Sequence, residues 1–99
     1  MARLEVDDEL LEKFKRSIGD DVDNTDLDDH YIEHLQTALF DLSTDDISTK
    51  QLKSELGQAV TVLYAEALMN KTDIATNQTI SLLRNKLAII SKGDKYAEQ

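Results

Sequence analysis

The chain has 99 residues, enough for one compact domain, and its 20 acidic and 11 basic residues give a formal net charge of −9. So acidic a composition argues against non-specific nucleic-acid binding through neutralised phosphates. The sequence contains no cysteine, which excludes disulfides, thiolate metal sites and cysteine nucleophiles. No apolar run approaches the roughly 20 residues of a membrane-spanning helix, and the first residues turn acidic at once, so we expect a soluble, unprocessed chain without a signal segment.

The charge is divided unevenly along the chain. Residues 1–50 contain 15 acidic and 5 basic residues, whereas residues 51–99 contain 5 acidic and 6 basic residues. The acidity therefore belongs to the N-terminal half.

The first predicted helix runs from about Asp8 to Ile18. Acidic residues occupy its first turn, basic residues its last, and Gly19 is the expected stop. An Asp-rich loop follows and leads into the second helix. The candidate acidic surface consists of Asp20, Asp21, Asp23, Asp26, Asp28 and Asp29.

The second predicted helix is capped by Thr25 or Asp26 and ends near residue 42. Its apolar residues recur at helical spacing and predict one buried stripe. The stripe is Leu27, Tyr31, Leu35, Ala38, Leu39 and Leu42.

The third predicted helix is the longest, from about Thr49 to Met69, with Ser48 or Thr49 as its cap. Gly57 lies inside it at a cost of about 1 kcal/mol relative to alanine. It indicates either a close helix crossing or a tolerated weakness, and we favour the weakness. The expected core face is Leu52, Leu56, Ala59, Val60, Leu63 and Ala67.

The fourth predicted helix begins after Thr76 or Asn77, buries Ile80, Leu83, Leu87 and Ile90, and ends at Gly93. Residues 93–99 are then a short flexible tail. Because the chain has no proline and only 3 glycines, β-rich folds are disfavoured. We expect an all-α fold: one domain over residues 1–99, built as a small antiparallel bundle of about four helices with its core in residues 7–92.

Two motifs in the second helix region suggest metal binding. His30, Glu33 and His34 match the H-x-x-E-H pattern of some zinc peptidases. A third ligand is not evident, so we favour two surface histidines and expect no metal site. The Asp-rich run fails the calcium-loop pattern, since counting from Asp21 places Asp26 where glycine is needed and Ile32 where glutamate is needed. We expect no cofactor.

The third and fourth helices carry more apolar residues than one core-facing stripe requires. A helix that is apolar over a wide arc is either central in its own domain or in contact with another chain. We favour contact with another chain. The candidate interface residues are Val62, Leu68, Met69, Leu82 and Ile89.

The order of features resembles the small head–tail connector (adaptor) proteins of tailed bacteriophages. The resemblance rests on a short acidic first helix, on Asp28-Asp29-His30-Tyr31-Ile32 opening the second helix, on Ala59-Val60-Thr61-Val62-Leu63-Tyr64 in the long helix, and on Ile80-Ser81-Leu82-Leu83-Arg84 in the last. It covers roughly residues 7–92.

The resemblance implies a structural, non-enzymatic subunit of the virion, present in the host cytoplasm during assembly. Such subunits form a homo-oligomeric ring that joins the portal protein to tail-completion proteins and extends the DNA channel. An acidic lining would repel phosphates and let DNA pass without specific binding.

Two other functions remain open on the sequence. An acidic helical inhibitor or DNA mimic, bound in the basic groove of a nucleic-acid enzyme, would explain the charge. A small metallohydrolase built on His30, Glu33 and His34 would explain the H-x-x-E-H motif.

Overall fold

The computed structural model describes residues 6–45, 47–74 and 77–97, and of residues 95–97 only the backbone. Helices account for 74% of the described part, which contains no strand, so the all-α class is confirmed. The described residues form five helices, where about four were expected. They are α1 Asp8–Ile18, α2 Asp28–Ser43, α3 Thr49–Leu52, α4 Glu55–Met69 and α5 Gln78–Ala97.

Helix α1 has the predicted bounds because both of its ends carry strong local signals. The Asp7 side chain accepts a hydrogen bond from the Leu10 backbone N–H at 2.8 Å and caps the N-terminus. At the other end, Gly19 adopts the left-handed conformation at φ 77°, which favours glycine, and its N–H returns to the last turn.

Helix α2 begins later than predicted. Leu27 is its N-cap and makes no side-chain capping bond, so the predicted caps Thr25 and Asp26 are wrong. Leu27 is also 49% exposed and not part of the buried stripe. The other five predicted stripe residues are buried, as expected: Tyr31, Leu35, Ala38, Leu39 and Leu42.

The predicted third helix is two helices, and the single helix over residues 49–69 is wrong. Ser48 caps α3 as predicted, but the chain turns at Lys53 and Ser54. The Ser54 hydroxyl then accepts a hydrogen bond from the Gly57 N–H at 3.1 Å and starts a new helix.

Gly57 permits this turn. A Cβ atom at residue 57 would lie 2.6 Å from the Leu52 carbonyl oxygen and would also clash with the Gln51 carbonyl. Only glycine lets the backbone of α3 come this close to α4. The close crossing is therefore the correct interpretation of Gly57, and a tolerated weakness is wrong.

Helix α4 is central and packs against α1, α2, α3 and α5. Its buried surface therefore covers more of its circumference than predicted. Tyr64 and Ala65 are buried although they lie off the expected stripe, whereas Ala59 and Leu63 of that stripe are exposed.

Helix α5 begins as expected, because the Asn77 side chain accepts a hydrogen bond from the Ile80 N–H at 3.0 Å. Thr76, the alternative cap, lies outside the described residues. The predicted end at Gly93 is wrong, since this glycine does not adopt a positive φ and the helix continues to Ala97. Ile80 and Leu87 are buried as predicted, but Ile90 is 37% exposed.

The core lies where α1, α2, α4 and α5 meet. Its largest fully buried side chains include Phe14, Leu35, Leu42, Val60, Ile80 and Leu87. Among the described residues, no helix combines the length and apolar character needed to span a membrane.

Candidate functional site

The Asp-rich loop is organised around the ammonium group of Lys15. This lysine of α1 is only 2% exposed, and its Nζ donates to the carbonyl oxygens of Val22 at 3.2 Å and Asn24 at 2.7 Å. Nζ also forms an ion pair with the Asp28 carboxylate at the start of α2. Two carbonyls and a carboxylate thus surround a cation that belongs to the chain itself.

Further bonds within the loop fix its backbone. The Asp21 carboxylate accepts from the Asp23 N–H at 3.0 Å, and the Asn24 side chain accepts from the Asp26 N–H at 3.1 Å. Such Asx turns are typical of aspartate and asparagine in tight loops.

Asp20 connects the loop to the core. It accepts a hydrogen bond from the Tyr31 hydroxyl at 2.8 Å, which lowers the pKa of Asp20 and, with burial, raises the pKa of Tyr31. The Tyr31 ring packs edge-on against Phe14, with centroids 5.3 Å apart.

The six predicted acidic residues therefore share one loop and the first turn of α2 but have different environments. Asp21, Asp23, Asp26 and Asp29 are exposed, whereas Asp20 and Asp28 are half-buried and bonded to Tyr31 and Lys15. The exposed carboxylates are carried on a framework that the chain itself holds in place.

The two histidines lie on the solvent side of α2. Their rings are in edge contact, with centroids 4.6 Å apart. His30 is exposed and His34 half-buried. In the part of the chain that the structure describes, no third histidine, aspartate or glutamate joins them in a metal-binding group.

The predicted interface residues of α5 are strongly exposed. Leu82 and Ile89 are each 70% exposed, and they lie on one face of the helix with the exposed Lys86 between them. We call Leu82, Lys86 and Ile89 the α5 face.

The predicted interface residues of α4 are placed differently. Val62 is only 7% exposed, and Leu68 and Met69 are half-buried against the core. Because α4 is central, the chain's own packing accounts for most of its wide apolar arc. The wide apolar arc of α4 therefore comes mainly from packing within the chain, whereas that of α5 leaves Leu82 and Ile89 exposed.

A polar cluster that the sequence did not reveal joins α5 to α2. Arg84 Nε donates to the Asp45 carboxylate at 2.7 Å, and Arg84 Nη1 lies 3.6 Å from the Asp41 carboxylate. The Tyr64 hydroxyl of α4 donates to Asp41, and the Arg84 guanidinium lies 5.4 Å from the Tyr64 ring centroid. With Ile74, Ser81 and Asn85, part of this cluster lines an open depression of about 460 Å³.

The cluster changes the acidity of its members. Burial, and then the hydrogen bond and charge of Asp41, raise the pKa of Tyr64 to about 12. Burial alone would lower the pKa of Arg84, but the carboxylates of Asp45 and Asp41 outweigh it and raise that pKa. Arg84 therefore stays charged and ties α5 to the end of α2.

Two further exposed features escaped the sequence analysis. Phe40 of α2 is 70% exposed. The only sign of this exposure in the sequence is that Phe40 lies off the predicted buried stripe. The second is a groove of about 440 Å³ between α1 and α4, which depends on how the helices pack and leaves no local signal.

Comparisons with models of known families, with curated proteins and with solved structures found no match for this chain.

Proposed function

We propose that this chain is a structural subunit of the head–tail connector of a tailed bacteriophage. In this proposal the subunit is a small antiparallel helical bundle that acts in the virion. Copies of it form a ring that joins the portal protein to the tail and extends the DNA channel. The proposal starts from the resemblance described above, and the observation that carries it is the exposed apolar pair Leu82 and Ile89.

Leu82 and Ile89 are large apolar side chains, yet each is 70% exposed. They lie about 10.5 Å apart along the helix axis, since they are seven residues apart and each residue rises about 1.5 Å. Exposed apolar side chains grouped on one face favour a protein contact. In a ring, each subunit makes the same heterologous contact with the next, which closes when the rotation is right.

The Asp-rich loop suits the channel side of such a ring. Its exposed carboxylates are Asp21, Asp23, Asp26 and Asp29. A wall of negative charge repels the phosphates of passing DNA, whereas a basic wall would retain them. A ring structure with this loop on its outer wall would contradict the channel role.

The decisive experiment uses the portal protein encoded in the same genome. The portal and this chain are co-expressed and purified, and the complex is imaged by electron microscopy. We expect a ring of this chain on one end of the portal. Leu82→Asp should abolish the ring, and Gln36→Asp on the exposed side of α2 should leave it intact. A chain that neither binds the portal nor forms rings contradicts the proposal.

A second candidate is an inhibitor that mimics DNA, which the preformed acidic loop favours. The loop presents carboxylates from a fixed backbone, as a mimic of a phosphate backbone must. This function leaves Leu82 and Ile89 without a role. Inhibition of a DNA-binding enzyme that weakens with salt, together with the absence of portal binding, would favour it.

A further inference from the structure

The groove between α1 and α4 is lined by both apolar and polar side chains. They are Ala59, Val62 and Leu63 of α4, together with Lys13 and Ser17 of α1 and Glu55 and Gln58 of α4. Lys13 is already engaged, since its Nζ donates to Gln58 and lies 3.4 Å from the Glu9 carboxylate. Leu63 is 37% exposed, so an apolar side chain remains open to a partner.

The dimensions of the groove match the α5 face. Along α4 the groove extends from Glu55 to Leu63, a rise of about 12 Å at 1.5 Å per residue. Leu82 and Ile89 are separated by about 10.5 Å on the same scale. A cavity of about 150 Å³ holds one benzene molecule, so a groove of about 440 Å³ has room for two aliphatic side chains.

The last helix and the rest of the chain carry net charges of opposite sign. Residues 78–97 contain four basic residues and one acidic residue, a net charge of +3. Since the whole chain carries −9, the remainder carries −12. The exposed Lys86 lies between Leu82 and Ile89, and the exposed Glu55 lies at the groove.

The same charges disfavour a symmetric pairing of two α5 helices. Two α5 faces placed together about a two-fold axis would bring Lys86 near its own copy, so two like charges would meet. Docking on the acidic body of another copy avoids this repulsion. Since α5 and the α1–α4 groove are different parts of the molecule, the contact is heterologous.

We propose that the α5 face of one copy docks in the α1–α4 groove of the next copy. Leu82 and Ile89 fill the groove, and Lys86 pairs with Glu55. The inference rests on the proposed ring function and names the contact from which the ring is built.

The absence of cysteine from the chain permits a direct test by cross-linking. Ile89→Cys and Ala59→Cys are made in separate copies, mixed and oxidised, both alone at high concentration and in the presence of the portal. A disulfide requires Cβ atoms about 3.8 Å apart, so it forms only where the two surfaces meet. The matched control pairs Ile89→Cys with Gln36→Cys on the exposed side of α2.

We expect the 89–59 disulfide to form readily and the 89–36 disulfide to stay at background. Charge exchange gives a second readout. Lys86→Glu and Glu55→Lys should each weaken self-association, measured by light scattering, about two- to fivefold, as for an exposed ion pair. The double variant, in which each copy carries both changes, should recover the original affinity.

The outcomes separate this inference from the proposed function. Rings on the portal without the 89–59 disulfide, or a double variant weaker than both single ones, overturn the docking arrangement and leave the connector function standing. The 89–59 disulfide without rings or portal binding supports the docking and contradicts the connector function. Absence of the disulfide, of rings and of portal binding contradicts both.

Discussion

At the scale of single residues, Lys15 decides the state of the acidic loop. A loop with six aspartates in ten residues would ordinarily need an external cation or remain mobile. Here a buried ammonium group takes the place of that cation, bonded to Val22, Asn24 and Asp28. The contacts of Lys15 therefore tie the loop to α1 and to the start of α2.

Removing the Lys15 charge should destabilise the protein strongly. Lys15→Met keeps much of the side-chain volume but leaves the half-buried Asp28 without its cation and two carbonyls without their donor. Breaking one partner of a buried pair costs about 3 kcal/mol or more, and we expect a loss near that value in urea denaturation.

Arg16→Met is the matched control for Lys15→Met. Arg16 is exposed, and its only charged contact shown is with Glu12 at 3.8 Å. We expect a change within about 0.5 kcal/mol. Equal losses in the two variants would mean that Lys15 does not hold the loop.

Tyr64 makes the stability depend on pH in the alkaline range. Its folded pKa of about 12 lies above its ordinary value of 10. The contribution of Tyr64 to the free energy of unfolding is therefore complete below pH 10 and is lost as the pH rises through about 12. Denaturation measured across this range should show a steeper loss of stability for the original chain than for Tyr64→Phe. Parallel curves would contradict the raised pKa that burial and Asp41 give to Tyr64.

At the scale of helices, two glycines inside helices should respond oppositely to alanine. Gly57→Ala gains about 1 kcal/mol of helix propensity but places a methyl group 2.6 Å from the Leu52 carbonyl, so α3 must move. Gly93 lies in α5, and in the described part of the chain no other segment comes within 4 Å of an added Cβ. We expect Gly57→Ala to lower the midpoint of thermal unfolding and Gly93→Ala to raise it. The reverse order would contradict the close crossing of α3 and α4.

The sequence predicted the helices whose ends carry local signals and missed those decided by packing. Asp7 and Gly19 mark the two ends of α1 through hydrogen bonds to its own first and last turns. The turn before α4 contains neither proline nor glycine. Ser54 stands in a segment whose apolar residues keep helical spacing without a break, so no local signal marked the turn. Gly93 was the predicted end of the last helix. A glycine typically ends a helix by adopting a positive φ, and Gly93 does not adopt one.

The residues of the candidate site also divide into those with a local sequence signal and those placed by packing. Exposure of Leu82 and Ile89 could be predicted from periodicity, because they lie off the core stripe of their own helix. The burial of Lys15 could not, since a lysine in the last turn of a helix usually interacts only with the helix dipole. The contacts of Arg84 with Asp41 and Asp45 join α5 to the end of α2 and its following turn, which are distant in sequence, and left no local pattern.

At the scale of the whole molecule, the charge separates a basic apolar helix from an acidic body. Residues 78–97 carry +3 and the remainder carries −12. Within one chain the excess of negative charge opposes folding through self-repulsion. In the proposed contact between copies, Lys86 and Glu55 attract although each copy carries −9, so salt weakens that pair while it screens the repulsion within each chain.

Sodium chloride should therefore raise the thermal stability of the monomer and weaken the pairing of Lys86 with Glu55 in the proposed contact between copies. At 0.1 M salt, screening extends over about 10 Å, enough to reduce repulsion among the exposed carboxylates, whereas the buried Lys15–Asp28 pair is affected little. Unfolding is followed by circular dichroism at low protein concentration, and association by light scattering over the same salt series. Association that shows the same salt dependence in the original chain and in Glu55→Gln would mean that the pairing of Lys86 with Glu55 is wrong.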